Sequence, residues 1–246
     1  KAMRAMRKQL QLPKVGMTDC NKARRRSMED EGRTDALLNL PLFLCKQADQ
    51  EIQVAAEVSY ASALKYQTAV AIEIQLTKAM RIKNLAGLRI GGDLKVQPDG
   101  RVLLVVHETA VKNGVPIEAP LSVDAAAMVH RYIKVYRDTL GTKSGGYLFP
   151  GRLPDCHKTD HALNVNIRNM LTEKVGVNAC AQFFRHFAGH LILKDDPSAH
   201  VMVQRALNHK QLSTTLGHYV NMDAGIADEY YARLIKHRRS EQKLRR

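Results

Sequence analysis

Five short segments, scattered along a chain of 246 residues, hold the side chains richest in chemistry. They are Met80-Arg81-Ile82-Lys83-Asn84-Leu85, Val111-Lys112-Asn113-Gly114, Phe184-Arg185-His186, Leu207-Asn208-His209 and His218-Tyr219. A guanidinium offers a planar fork of donors that fits the non-bridging oxygens of a phosphate, and it stays charged at any physiological pH. Arg81 follows an apolar stretch, and Arg185 sits inside Phe183-Phe184-Arg185-His186-Phe187-Ala188. An arginine in such a frame needs an anionic partner. Two arginines, a turn lysine, a histidine and a tyrosine can together hold, polarise, protonate and attack one phosphate. The reaction they fit is metal-free attack on a phosphodiester through a tyrosyl-phosphate link.

The elements that must position these groups are mostly helical. From Val54 to Leu76 apolar residues recur at three- and four-residue steps, which predicts a helix. A second helix is expected from near Arg81 to Gly87. Three short strands follow, Leu88 to Lys95, Val102 to His107 and Val115 to Ala119, punctuated by Gly91-Gly92, Pro98-Asp99-Gly100 and Asn113-Gly114. Asn-Gly favours a two-residue type I′ hairpin, so Lys112 is expected at a hairpin tip. Helices are expected again over 124–139, 160–174, 181–193, 198–207, 213–219 and 223–236, with Tyr147-Leu148-Phe149 extended between the first two. The fold class predicted is α+β, mainly α, with a small three-stranded antiparallel sheet near the N-terminal side.

Composition narrows the partner. The net charge is +14, the pI is about 9.8, and 45% of residues are hydrophobic, enough for a substantial core. So basic a globular chain usually meets a polyanion, most commonly nucleic acid. Aromatic residues make up 5% and tryptophan is absent, which disfavours single-strand binding by base stacking and favours contact with a duplex backbone. Cys20, Cys45, Cys156 and Cys180 form no disulfide framework, and Cys156-His157 with His161 has no second cluster to complete a metal site. The longest apolar run, Ala36 to Cys45, contains Asn39 and Pro41 and is too short to span a bilayer.

Taken in order, these segments resemble the tyrosine recombinases of the phage integrase family. Met80 to Leu94 is similar to the family's first arginine box, an Arg-Ile-Ser-Glu-Leu-like helix running into a strand. Phe183 to Leu193 is similar to the second box, His-x-x-Arg-His. Leu207 to Thr215 is similar to the Leu-Gly-His segment followed by Ser-Thr-Thr. The likeness covers roughly residues 35 to 235. It implies that Arg81 and Arg185 clamp the scissile phosphate, Lys112 is the general acid for the departing 5′-oxygen, and His209 donates a hydrogen bond to the phosphate.

Two positions depart from the family pattern. Gln182 stands where the second box has histidine; an amide still donates to phosphate but relays no proton. The family spacing puts the nucleophilic tyrosine at position 218, which is His218 here, with Tyr219 next. One helical residue rotates a side chain by about 100°, a shift the preceding loop can absorb. Tyr219 is therefore the expected nucleophile and His218 a possible auxiliary; Tyr230 and Tyr231 fit packing of the last helix.

The implied protein is a site-specific recombinase or integrase that cuts and rejoins duplex DNA as a homotetramer. It needs no cofactor, no metal and no membrane, and it lies in a bacterial or phage-type cytoplasm with the nucleoid. A directionality protein is a further expected partner. The alternatives are a catalytically weak or inactive DNA-binding accessory protein derived from a recombinase, and a relaxase like the type IB topoisomerases. Residues 1–33 are expected to form a basic linker or arm, and 34–246 the catalytic domain with its C-terminal helix and basic tail. The chain opens on Lys1, and the segment before the catalytic domain is too short for the family's separate core-binding domain, so a fragment or minimal form is expected.

Overall fold

The computed structural model describes residues 30–141, 145–213 and 215, and the isolated positions 23, 26 and 231. In chain order its elements are α1 (Glu31–Ala55), α2 (Tyr60–Thr77), α3 (Ile82–Ala86), β1 (Leu94–Val96), β2 (Val102–Val106), β3 (Ile117–Pro120), α4 (Val123–Arg131), α5 (Arg137–Leu140), α6 (Asp160–Val175), α7 (Gln182–Asp195) and α8 (His200–Ala206). A 3-10 turn, Glu108–Ala110, follows β2, and a π-helical segment, Tyr132–Tyr136, joins α4 to α5. The predicted class holds: mainly helix, with one three-stranded antiparallel sheet in the order β1-β2-β3.

Helix α1 begins at Glu31, where Asp30 caps it: its Oδ1 accepts from the backbone N–H of Gly32 at 2.9 Å. The apolar run from Ala36 to Cys45 is part of this helix, with Pro41 inside it. An internal proline costs about 3 kcal/mol. Leu37, Leu40, Leu44, Cys45 and Ala48, buried at helical spacing against α2, offset that cost.

A continuous helix from Val54 does not form. Ala56 adopts the left-handed conformation (φ 58°) and ends α1, and Ser59 Oγ accepts from the N–H of Ser62 at 3.0 Å to start α2. Val54 belongs to the end of α1 and is 90% exposed. Helix α2 is buried on nearly every side, with the polar Gln67, Thr68 and Gln75 among its buried residues. It packs on α1, α4, α6, α7 and the π segment. Tyr66 of α2 stacks on Tyr136 at 4.2 Å between centroids, and Gln67 Nε2 donates to the Tyr132 hydroxyl at 2.8 Å. Arg131 and Tyr136 both bond Asp49, which ties α1 to the same cluster.

In the sheet, Leu104 of β2 faces Leu94 on one side and Ala119 on the other. The connection to β3 is longer than the expected hairpin. Gly114 N–H bonds Val111 O at 2.9 Å, so Lys112 and Asn113 are the central residues of a turn inside the 107–116 loop. A type I′ pair needs positive φ at both central residues; here Gly114 has φ 65° and Asn113 does not.

Candidate active site

The central helix α2 delivers the first arginine. Its C-cap is Lys78, in extended conformation, and buried Gln75 donates from Nε2 to Met80 O at 3.0 Å, holding the exit from the helix. Met80 is 1% exposed and anchors the turn in the core. Arg81 follows as the extended N-cap of α3, without using its side chain as a cap. The Arg81 guanidinium makes no hydrogen bond or ion pair with any described residue, so it remains available to a ligand.

Arg185 comes from α7, where Phe183, Phe184 and Phe187 are buried around it. The arginine itself is 7% exposed. Its Nη1 donates to Ala79 O at 2.6 Å and its Nη2 to Leu207 O at 2.7 Å. These carbonyls fix the plane of a buried cation whose desolvation would otherwise be costly. The bond to Ala79 joins α7 to the turn that carries Arg81.

Both arginines line one small cleft. Its wall is made by Lys78, Arg81 and Asn84 at the α2–α3 junction, Val111 and Asn113 of the β2–β3 loop, Arg185, and the pair Leu207-Asn208 after α8. No aspartate or glutamate is among its described lining residues. Burial, and then the charge of Arg185, hold the Lys78 ammonium below the usual lysine range. Three lining amides each bury an atom without a partner: Asn84 Nδ2, Asn113 Oδ1 and Asn208 Oδ1. The cleft can do one thing well: hold an anion in a fixed orientation.

The remaining sequence-derived residues fall at different distances from this cleft. Lys112 is exposed and does not line it, although Val111 and Asn113 on either side do. The loop is held there because Asn113 Nδ2 donates to Asn208 O. His209 is half-buried just after Asn208, with Nδ1 2.9 Å from Thr215 Oγ1. When the hydroxyl donates, the neutral ring carries its proton on Nε2, the form able to donate to a phosphate. Gln182, the first residue of α7, is exposed and outside the cleft lining. His218 and Tyr219 lie outside the described residues.

Sequence reasoning misses Lys78, Asn84 and Asn113, and it gives Asn208 no role. Asn208 stands where the family's Leu-Gly-His segment has glycine. Its φ of 51° gives the reason, since asparagine is among the few other residues that visit this region readily. A larger cavity of about 1150 Å³ lies elsewhere, against Tyr60, Tyr147 and the 150–159 loop, and none of the sequence-derived site residues lines it. In it, burial pushes the Lys158 amine down to about 8.

The fold is that of a tyrosine recombinase catalytic domain. It is similar to XerH site-specific recombinase bound to palindromic difH substrate in a post-cleavage complex, with TM-score 0.56 and 18% identity over 79% of this chain and 51% of that one. The pre-cleavage complex of XerH with difH matches at TM-score 0.53 and 18% identity, over 76% of this chain and 51% of that one. XerA recombinase matches at 0.52 and 16%, over 72% and 64%. The chain thus spans about half the length of the XerH structures. No curated protein matches it. The model of the phage integrase family matches residues 46–225, and the chain belongs to that family. Among the described residues, no helix is long and apolar enough to cross a membrane.

Proposed function

We propose that this chain is the catalytic region of a site-specific DNA recombinase that cuts and rejoins strands through a 3′-phosphotyrosyl intermediate. The observation that carries this reading is the cleft that Arg81 and Arg185 line together, with no aspartate or glutamate among its described lining residues. Paired guanidiniums there would neutralise the charge that builds on the phosphate during in-line attack. Fixed electrostatic stabilisation of this kind typically lowers the barrier more than any other single effect.

In this reading the Tyr219 phenolic oxygen attacks phosphorus and the 5′-oxygen leaves. The phosphodiester bond is exchanged for a phosphotyrosyl bond, so its energy is retained and no nucleotide cofactor is consumed. Lys112 protonates the departing oxygen. His209 and Gln182 donate to the non-bridging oxygens, and His218 is an auxiliary beside the nucleophile. Attack by a 5′-hydroxyl from another strand releases the tyrosine and completes the transfer. The guanidiniums do the charge neutralisation that a divalent ion performs in other nucleases, so in this reading the step needs no metal.

Exchange between two duplexes uses four such sites, which leads to a homotetramer assembled on DNA, aided by a directionality protein. The net charge of +14 suits this partner. The working location is the nucleoid of a bacterial or phage-infected cytoplasm.

The test is a covalent trap. Nicked duplexes tiled across the flanks of the encoding gene are incubated with the protein and run on a denaturing gel. A protein–DNA adduct on one of them, lost in Tyr219→Phe, is expected. Tight duplex binding with no adduct on any would replace the enzyme by a DNA-binding accessory protein. Relaxation of supercoils without sequence preference would replace it by a relaxase.

A further inference from the structure

The cleft holds more than the two arginines the family resemblance supplies. Lys78 lines it three residues before Arg81, in the same turn. Its direction is set by the backbone: as C-cap of α2 it is extended (φ −144°, ψ 95°), and its N–H bonds Ile74 O at 2.8 Å. Its ammonium makes no hydrogen bond or ion pair with any described residue. A half-buried lysine beside Arg185, with no carboxylate among the described lining residues, is an uncompensated cation. Proteins rarely carry such a group unless an anion arrives to neutralise it.

Asn84 is the second, independent observation. It is 9% exposed, it lines the same cleft, and its Nδ2 is buried without a partner. A buried donor left unsatisfied destabilises a fold by roughly 1–3 kcal/mol, so it marks a place where an acceptor belongs. Where the family's first arginine box carries glutamate, this chain carries the amide. A carboxylate there would repel a phosphate; an amide nitrogen can bond to it. The orphaned oxygens of Asn113 and Asn208 are acceptors and complement the cations, not the anion.

We propose that Lys78 and Asn84 contact the same DNA phosphate as Arg81 and Arg185, Lys78 as a third cation and Asn84 as a neutral hydrogen-bond donor. The inference rests on the reading of the cleft as a phosphate site. It makes the clamp of this chain four-membered, with the extra charge next to a second box that has Gln182 in place of histidine.

The experiment is binding of the full chain to a short duplex of random sequence, followed by fluorescence anisotropy over a range of salt concentrations. Each lost phosphate contact by a cation lowers the slope of log K against log salt by about one. Lys78→Gln is expected to lower that slope by about one and to weaken binding several-fold, whereas Lys78→Arg retains both. Asn84→Leu, close in shape, is expected to weaken binding with the slope unchanged, because no charge is lost. Arg81→Gln serves as the control for the cleft itself. If Arg81→Gln leaves binding intact, the phosphate reading fails. If Arg81→Gln lowers the slope while Lys78→Gln and Asn84→Leu match wild type, this proposal alone is overturned. Thermal unfolding of each variant separates contact from folding: Lys78→Gln relieves like-charge repulsion and is expected to melt no lower than wild type. Should it melt lower, Lys78→Met against Lys78→Arg, compared at a temperature where both are folded, decides by the same slope.

Discussion

Asn208, held at φ 51°, donates its Nδ2 to the carbonyl of Pro116 at 2.7 Å, while its own carbonyl accepts from Asn113. Two loops distant in sequence are locked together by this reciprocal pair. One carries Lys112 and the other His209. Their relative position is therefore a property of a hydrogen-bonded unit, and disturbing Asn208 should disturb both.

Asn208→Ala is expected to lose the bond to Pro116 and to strain the backbone, since a left-handed alanine costs roughly 1–2 kcal/mol. Asn208→Gly keeps the backbone geometry and loses only the bond. The melting temperature should fall for both variants, and further for alanine. Equal melting of alanine and wild type would mean the turn is not under this constraint.

Arg185 and Arg81 should separate folding from binding. Arg185→Ala strands the carbonyls of Ala79 and Leu207, at roughly 1–3 kcal/mol for each that stays unsatisfied. A fall in melting temperature of several degrees is expected. Arg81→Ala removes a side chain with no partner among the described residues, so it should melt like wild type while binding DNA more weakly. Calorimetry on both variants checks this, and a destabilised Arg81→Ala would contradict the structure.

Lys112→Ala is expected to slow strand cleavage by roughly 10²–10⁴-fold, the usual contribution of a general acid. A substrate with sulfur at the bridging 5′ position has a leaving group that needs no proton. Cleavage of that substrate should proceed at the wild-type rate in Lys112→Ala. If the sulfur substrate is cut no faster than the ordinary one, Lys112 has another role.

Gln182→His restores a proton-carrying group one helical turn before Arg185. Adduct formation should rise, by about tenfold or more if proton transfer limits the step. An unchanged rate would show that the exposed start of α7 does not reach the reacting phosphate in the complex.

Lys158 predicts a pH dependence of stability. Its folded value is near 8, against about 10.4 for a free lysine. Between these values the unfolded chain binds more protons than the folded one, so stability rises with pH across that window. Below it, both states are charged and the folded protein bears the cost of burial. Lys158→Met should therefore raise the melting temperature at neutral pH and flatten the rise toward alkaline pH. Parallel melting curves for variant and wild type across the window would rule this out.

Much of the fold was legible because local periodicity reports local structure. The strand pair Val102 to His107 and Val115 to Ala119, the helix at 160–174 and the helix bearing Arg185 all lie within a few residues of their predicted places. The misreadings share a cause. Helix α1 was hidden by Pro41, which the burial of Leu37, Leu40 and Leu44 overrides, and the break before α2 depends on Ala56 and Ser59, whose capping geometry periodicity does not register. The Asn113-Gly114 turn obeys its tie to Asn208 rather than the preference of an isolated hairpin.

By itself the sequence determined the types of the candidate site residues, their order and the class of fold, because side-chain chemistry and hydrophobic period are properties of the chain alone. Only the tertiary structure decided that Arg81 and Arg185 share one cleft, that Lys78 and Asn84 share it too, and that Lys112 stands beside it. Those facts depend on distances between residues far apart in the chain. Such distances are set by the packing of α2, α7 and the 107–116 loop, which no local pattern encodes.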